Sequence, residues 1–241
     1  MRFIFGLCAL FSLPAAAAEA PLKILTPGYG QLAMQELEPL IEKTIGKAVD
    51  IEIVGTGGIP ERILKGDKID LVVTYRESLA AAKDRIQAQT DVAISNVAIG
   101  VADNAPALVL KSPADVSAFL KATPSFAHTA SLSGQHTASV IEKLGLTSEM
   151  KPKTQIINGI LGNLIKEGKI ASAAQQVSEL KLANLKNIAA LPEPLQVDLV
   201  LAAATVQGTA HAEDAKKIVD ILLSADAAKA YENAGLKPLK K

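Results

Sequence analysis

Between Leu22 and Val73, short apolar runs alternate with helical patterns, which restricts the chain to a largely parallel sheet covered by helices. Leu22 to Leu25 is a first strand. Gly28 to Ile45 follows with Leu32, Leu37, Leu40 and Ile41 along one side of a helix. Val49 to Val54 alternates as a second strand, and Gly55-Thr-Gly-Gly58 turns into a helix whose first turn holds Pro60. Proline is tolerated there because its missing N–H would have had no helical partner. Ile69 to Val73 closes the unit, which reads βαβαβ.

A second series of the same kind comes after a long extended stretch, Val92 to Val101. It runs through a helix at Pro113 to Ala122, a strand at Ser125 to Ala127 and a helix at Ser133 to Leu144. A strand at Thr154 to Ile157, a helix at Gly159 to Glu167 and a strand at Ile170 to Gln175 complete it. Gln196 to Val206 is a second long extended stretch, before helices at Ala212 to Leu223 and Ala225 to Asn233, the last stopped by Gly235. Two α/β units linked by two extended segments predict two lobes joined by a pair of crossing strands, near Gly100 and Val197. Lobe 1 then comprises residues 19–101 and 197–241, and lobe 2 residues 102–196.

Ligands of open α/β sheets bind outside the carboxyl ends of strands, where helices begin. Three loops occupy such positions: Thr26-Pro-Gly28, Thr56-Gly-Gly58 and Ser131-Leu-Ser-Gly-Gln135. Each sets backbone N–H groups at a helix N-terminus beside a hydroxyl, which suits an anion without any positive side chain. Ser, Thr and Gly are also ordinary N-cap residues, so a single loop of this kind means little. Three on facing edges of two lobes point to one cleft.

The N-terminus reads as a cleavable signal peptide spanning residues 1–18. Met1-Arg2 precedes the apolar run Phe3 to Leu13, then Pro14 and the small tract Ala15 to Ala18. That run falls well short of the roughly 20 residues a membrane-spanning helix needs. Cleavage after Ala18 starts the mature chain at Glu19 and removes Cys8, the one cysteine, so neither a disulfide nor a cysteine metal site is expected. Export to the periplasm follows. The chain has 25 basic and 25 acidic side chains, a balance that argues against a nucleic-acid footprint or a basic membrane patch. With no tryptophan and 3% aromatic residues, stacking platforms for sugars or bases are not expected either.

Catalytic patterns are sparse, and no enzyme is expected. Ser131, Ser133, His128 and His136 lie close in sequence, yet the strained Gly-x-Ser-x-Gly turn of α/β-hydrolases is absent, which leaves a secreted hydrolase as a minor alternative. The three histidines lack metal-ligand spacing, and no phosphate-loop or complete dinucleotide fingerprint occurs, so neither a metal nor a cofactor is expected. Arg76, just past a strand end, either reaches the cleft to balance an anion or forms a surface salt bridge, the latter being the expected role. Lys237, Lys240 and Lys241 form a basic tail that ends in solvent.

The segment Gly55-Thr-Gly-Gly-Ile-Pro-Glu-Arg-Ile-Leu-Lys-Gly66, with Ile69-Asp70-Leu-Val after it, resembles the loop, helix and strand block of periplasmic molybdate-binding proteins. Similar blocks are Ser95 to Val101, Gly134 to Gly145, Ile165 to Gly168 with Gln175-Gln-Val-Ser-Glu179, and Ser224 to Pro238. The Gln-Gln-Val-Ser-Glu block is similar to a divergent branch of that family.

This resemblance implies a type II periplasmic binding protein fold, with a monomeric receptor that delivers a solute to the permease of an ABC transporter. It also implies ligand contacts from Thr26 and Pro27, from Thr56 and Gly57, and from Ser133, Gly134 and Gln135 in the far lobe. Ser95, Gln176 and Ser178 are further candidates. The ligand it implies is an oxyanion of the molybdate or tungstate type, with a different small organic solute as the alternative. The chain departs from the family pattern at Gln175, Gln176, Ser178 and Glu179, where a tyrosine and an acidic residue are usual, and at Thr26-Pro27, where small residues are usual. A buried glutamate at 179 would repel a dianion unless it is protonated or turned away.

Overall fold

The computed structural model describes residues 20–239, so the predicted signal peptide with Cys8, and the last two lysines, lie outside the described residues. The first unit runs β1 (Leu22–Thr26), α1 (Gly28–Ile45), β2 (Val49–Ile53), α2 (Gly58–Lys65) and β3 (Leu71–Tyr75). Helix α1 buries Tyr29, Ala33, Met34, Leu37, Ile41 and Ile45, a stripe at three- and four-residue spacing. Gly46 ends it in the left-handed region at φ 74°, its N–H donating to the Glu42 carbonyl at 2.8 Å. Strand β3 begins two residues later than the sequence suggests. Asp70 is held before it, where its carboxylate accepts from the Lys23 N–H at 2.8 Å and from the Thr209 hydroxyl.

The chain then makes a 3-10 segment, Arg76–Arg85, and a long strand β4 (Ile86–Ser95), before β5 (Val97–Val101). The remaining elements are α3 (Pro113–Ala122), β6 (Phe126–His128), α4 (Leu132–Lys143), α5 (Thr147–Met150), β7 (Thr154–Ile156), α6 (Leu161–Lys166), β8 (Ser172–Gln176), α7 (Val177–Leu182), β9 (Ile188–Ala190), β10 (Leu199–Val206), α8 (Ala212–Leu222), α9 (Ala225–Ala234) and β11 (Lys237–Pro238).

Two sheets result, with orders β11-β4-β10-β3-β1-β2 and β7-β6-β8-β5-β9. Each is built on three parallel strands from one βαβαβ unit: β1 sits between β2 and β3, as β6 sits between β7 and β8. An antiparallel strand flanks each trio, β10 beside β3 and β5 beside β8. The repetition read from the sequence is therefore a repetition of topology.

The first passage between sheets occurs at Asn96, not near Gly100, which lies in the middle of β5 and pairs with Ala173. The Asn96 side-chain amide donates to the Val197 carbonyl at 3.0 Å and to the Asp198 carboxylate at 2.9 Å, tying this passage to the returning one. Gln196 does the same for the next residue. Its amide donates to the Val97 carbonyl at 2.9 Å while its oxygen accepts from the Val97 N–H at 3.0 Å. Polar side chains at both passages satisfy backbone groups that the break between sheets leaves without ladder partners.

A third link is not legible in the sequence. Helix α7 follows β8 of the second sheet but packs against α1 and α9 on the first. The Lys181 ammonium donates to the Asn233 carbonyl at the end of α9, at 3.1 Å. This return carries Glu179 to the start of α1.

Candidate functional site

A cleft of about 730 Å³ opens where the carboxyl ends of the two parallel trios face each other. From the first sheet it is lined by Pro27, Gly28 and Tyr29 at the start of α1, and by Gly55 to Gly58 at the start of α2. From the second sheet come Thr129 to Leu132 and Gln135 around the start of α4, the loop Asn158 to Ile160, and Gln175, Gln176 and Glu179. Helices α1, α2 and α4 have no side-chain cap; α5, α6, α7 and α8 also lack one, α8 starting away from the cleft, while Ser112 and Ser224 cap α3 and α9. First-turn N–H groups without helical partners are thus left directed at the cleft, with the positive ends of three helix dipoles.

The floor of the cleft is a buried hydrogen-bonded chain. Tyr29 and Tyr75 stack with ring centroids 4.1 Å apart. The Tyr29 hydroxyl is 2.9 Å from the Thr74 hydroxyl and accepts from the Tyr75 N–H at 3.1 Å. The Gln176 amide donates to the Tyr75 hydroxyl, and the Gln176 oxygen accepts from the Ser133 hydroxyl at 3.0 Å. Ser133 is 3.2 Å from Ser131, whose hydroxyl is 2.7 Å from that of Thr129. The chain runs from the first sheet to the second, so the side chains at its ends are positioned by both. Desolvation drives both tyrosine phenols well above their ordinary pKa, keeping them neutral.

Among the described residues, no lysine, arginine, histidine or aspartate lines the cleft. Glu179 is its one acidic residue, and burial pushes its carboxyl up to about 8, against a smaller opposing pull from the Gln175 amide and the Gln176 backbone. At neutral pH this carboxyl is mostly protonated. It stands over the first turn of α1. A Cβ at Gly28 would lie 3.3 Å from the Glu179 Oε1 and 3.2 Å from the Ile160 side chain, so the missing side chain makes room for the carboxyl.

Of the residues picked from sequence, Pro27, Thr56, Gly57, Gln135 and Gln176 line the cleft. Thr26, Ser95, Ser133, Gly134 and Ser178 do not. The Thr26 hydroxyl is buried and donates to the Val73 carbonyl at 2.9 Å, with Gly30 packed on it. Ser95 is fully buried, with its hydroxyl beside the Tyr75 phenol, and Ser178, the second residue of α7, is 1% exposed. Ser133 supports Gln176 from behind. Gly134 is a contact glycine: a Cβ there would come within 1.6 Å of the Thr129 carbonyl oxygen. A hydroxyl or glycine near a strand end can face the sheet below as readily as the solvent above, and a one-residue difference decides which.

Tyr29 and the Asn158 to Ile160 loop were missed. Tyr29, two positions past Pro27 in the first turn of α1, was within reach of the same reasoning. Arg76 takes the surface salt-bridge role: it is exposed, lies outside the cleft, and pairs with Asp91 at 2.8 Å and Glu77 at 3.2 Å. His128 and His136 are spent on backbone carbonyls, of Thr129 at 2.9 Å and Leu195 at 2.8 Å. Among the described residues, no group of three His, Cys, Asp or Glu side chains could hold a metal ion, and no helix is long and apolar enough to cross a membrane. A second hollow of about 710 Å³ lies at the opposite edge of the first sheet, where its charges are largely paired, Lys23 with Asp50 and Glu52, and Asp67 with Arg62.

Two α/β lobes, two crossing segments and a cleft at facing carboxyl edges define the type II periplasmic binding protein fold. The chain belongs to the family of bacterial extracellular solute-binding proteins, whose model matches residues 22–237. It is similar to the periplasmic molybdate-binding protein of Azotobacter vinelandii, with a TM-score of 0.77 and 18% identity over 91% of this chain and 100% of that one. It is also similar to the sulfate-binding protein of Mycobacterium tuberculosis, with a TM-score of 0.73 and 13% identity over 92% of this chain and 88% of that one. Among curated proteins it is 27% identical to an aconitate isomerase of Pseudomonas sp. over 97% of this chain and 95% of that protein.

Proposed function

We propose that this protein is a periplasmic receptor that captures a small organic anion bearing several carboxylates between its lobes and hands it to the permease of an ABC importer. The observation that carries this reading is the convergence of three uncapped helix N-termini on a cleft that, among the described residues, has no cationic side chain. Backbone N–H groups hold carboxylates well, and with no lysine or arginine to desolvate the site relies on preorganised dipoles. The cleft volume falls in the usual range for organic ligands, on the order of 300–1,000 Å³. A protonated Glu179 would give one carboxylate a hydrogen-bond donor. The receptor works as a monomer, binding without turnover as its primary role, and hinges at Asn96 and the returning segment 191–198.

A tetrahedral oxyanion of the molybdate, tungstate or sulfate type is the second reading, favoured by the binding named for the structural relatives. Calorimetry with the mature chain separates the two. The expected result is heat of binding with cis- or trans-aconitate or citrate, and none with molybdate, tungstate or sulfate. The reverse pattern would restore the oxyanion reading. Binding of an anion beside a neutral Glu179 favours that neutral form, so affinity should weaken as pH rises through about 8, by up to about tenfold per unit. A pH-independent affinity between about 6 and 9 would place the ligand away from Glu179.

The two threonines picked together from sequence should behave oppositely. Thr56→Ala is expected to weaken binding by about 1–3 kcal/mol, the range for a lost hydrogen bond to a charged group, with little change in stability. Thr26→Ala removes a buried bond to Val73 and a buried methyl, so it should cost about 1–3 kcal/mol of stability and leave affinity in place. Urea melts and titrations of both variants check the pair. Equal affinity losses would contradict the placement of Thr26 outside the site.

A further inference from the structure

We propose that Asn158 is a modification site: the unliganded protein converts this residue spontaneously to aspartate and isoaspartate, and the new carboxylate disables the cleft for anions. Asn158 is the one asparagine of the sequence followed by glycine. It lies in the loop between β7 and α6, is exposed, and lines the cleft together with Gly159 and Ile160. The loop is tied on either side of the Asn-Gly bond and free at it. Upstream, the Ile157 N–H donates to the His128 carbonyl at 3.0 Å; downstream, the Gly159 carbonyl accepts from the Gln175 amide at 2.9 Å. Among the described residues, neither the Asn158 side-chain amide nor the Gly159 N–H has a hydrogen-bond partner. The N–H groups that follow Asn96, Asn104, Asn184 and Asn187 are committed: Val97 to the Gln196 side chain, Ala105 to the Ala102 carbonyl, Leu185 to the Leu180 carbonyl and Ile188 to the Lys186 carbonyl. Asn163 and Asn233 lie within helices, whose backbone fixes the next residue. Gly159 holds φ 105° and has no Cβ to shield its nitrogen.

The conversion consumes only water. The Gly159 nitrogen, giving up its proton, attacks the Asn158 Cγ. A new C–N bond closes a succinimide ring, the Cγ–Nδ2 bond breaks, and the side-chain nitrogen leaves as ammonia with the backbone proton. Water then opens the ring at either carbonyl. Opening at Cγ gives aspartate, and opening at the Asn158 main-chain carbonyl gives isoaspartate, in which the backbone runs through the side chain. No oxidant or reductant takes part. Either product puts a carboxylate where a neutral amide stood. Among the described residues the cleft has no cation to pair it, and Ile160, two residues on, packs over the same helix start as Glu179. Like-charge repulsion then opposes any bound anion. That consequence rests on the anion readings above, organic or inorganic alike; the ring closure does not. A ligand that fills the cleft covers Asn158, so the loss falls on idle receptor.

To test this, the mature chain is held in mildly alkaline buffer and its peptides are mapped by mass spectrometry at intervals. The peptide holding Asn158 is expected to shift to the mass of an aspartate and to split into aspartate and isoaspartate forms ahead of every other asparagine peptide, that of Asn104 in its exposed turn included. Asn158→Gln is expected to lack the shift. In calorimetric titrations with citrate and with molybdate, Asn158→Asp is expected to bind about tenfold or more weakly than the unaltered protein. An Asn158 peptide that stays intact, or that ages no faster than the Asn104 peptide, would overturn the site. A shift at Asn158 combined with full affinity in Asn158→Asp would overturn the loss of binding. If neither citrate nor molybdate binds the unaltered protein, both anion readings fail and the loss of binding fails with them, while the peptide masses still decide the modification.

Discussion

Replacing Gly134 with alanine is expected to destabilise the protein by about 3 kcal/mol or more, although alanine is the better helix former by about 1 kcal/mol. Gly134 lies in the first turn of α4, and a Cβ there would sit 1.6 Å from the Thr129 carbonyl oxygen and 2.5 Å from its carbon. Both are backbone atoms, so neither can swing away as a side chain would. The carbonyl is already fixed, accepting from the His128 ring at 2.9 Å. Relief would have to come from moving the loop that lines the cleft or from unwinding the start of α4. For a domain of this size the loss corresponds to a drop in Tm of about 6–12 °C. Gly57→Ala is the control. It also lies at a helix start, but nothing comes within 4 Å of its Cβ position, and its φ of −70° suits any residue. Its stability should stay within about 0.5 kcal/mol of the parent. Thermal and urea melts that rank the two variants equally would contradict the close approach of α4 to Thr129.

The same glycine shows how far the sequence could be read. The loop Ser131-Leu-Ser-Gly-Gln135 announced a helix start near the cleft, and the structure has one there. What the sequence could not reveal was orientation. Gly134 faces the backbone behind it, Ser133 faces Gln176, and only Ser131, Leu132 and Gln135 of this stretch reach the cleft. Periodicity located both βαβαβ units because buried parallel strands and amphipathic helices leave strong apolar patterns. It failed where the pattern is polar or short. The first half of β4, Gln-Ala-Gln-Thr-Asp, has no apolar face to show, and β9 and β11 are three and two residues long. The break at Asn96 was hidden because apolar residues continue on either side of it, and the hydrogen bonds of Asn96 and Gln196 between the two passages mark it instead. The position of Glu179 was legible as a departure from the family pattern, but its surroundings depended on α7 folding back onto the other lobe, a tertiary contact with no local signature.

Glu179→Gln is expected to stabilise the unliganded protein, and to do so only above the ordinary carboxylate range. The folded-state pKa of Glu179 is raised from 4.5 to about 8, chiefly by desolvation. Below about pH 4 the carboxyl is protonated in both folded and unfolded chains, so exchanging it for an amide of the same shape changes little. Between 4.5 and about 8 the unfolded chain releases the proton while the folded chain keeps it. The unfolded state therefore gains relative to the folded one as pH rises, at up to about 1.4 kcal/mol per unit for this single group. Above about 8 both states are ionised and the penalty stops growing. Because the cleft admits water to the carboxyl, the full shift overstates the effect, and a gain of about 2 kcal/mol for the variant at pH 9 is the expected size. Urea melts of both proteins at several pH values check this: their difference should be near zero at pH 4, widen through neutrality and level off in alkali. A difference that is constant across pH would mean the carboxyl ionises as freely as in water and lies out of the cleft. It would also remove the proposed link between affinity and pH, since both follow from the same buried acid without a cationic partner.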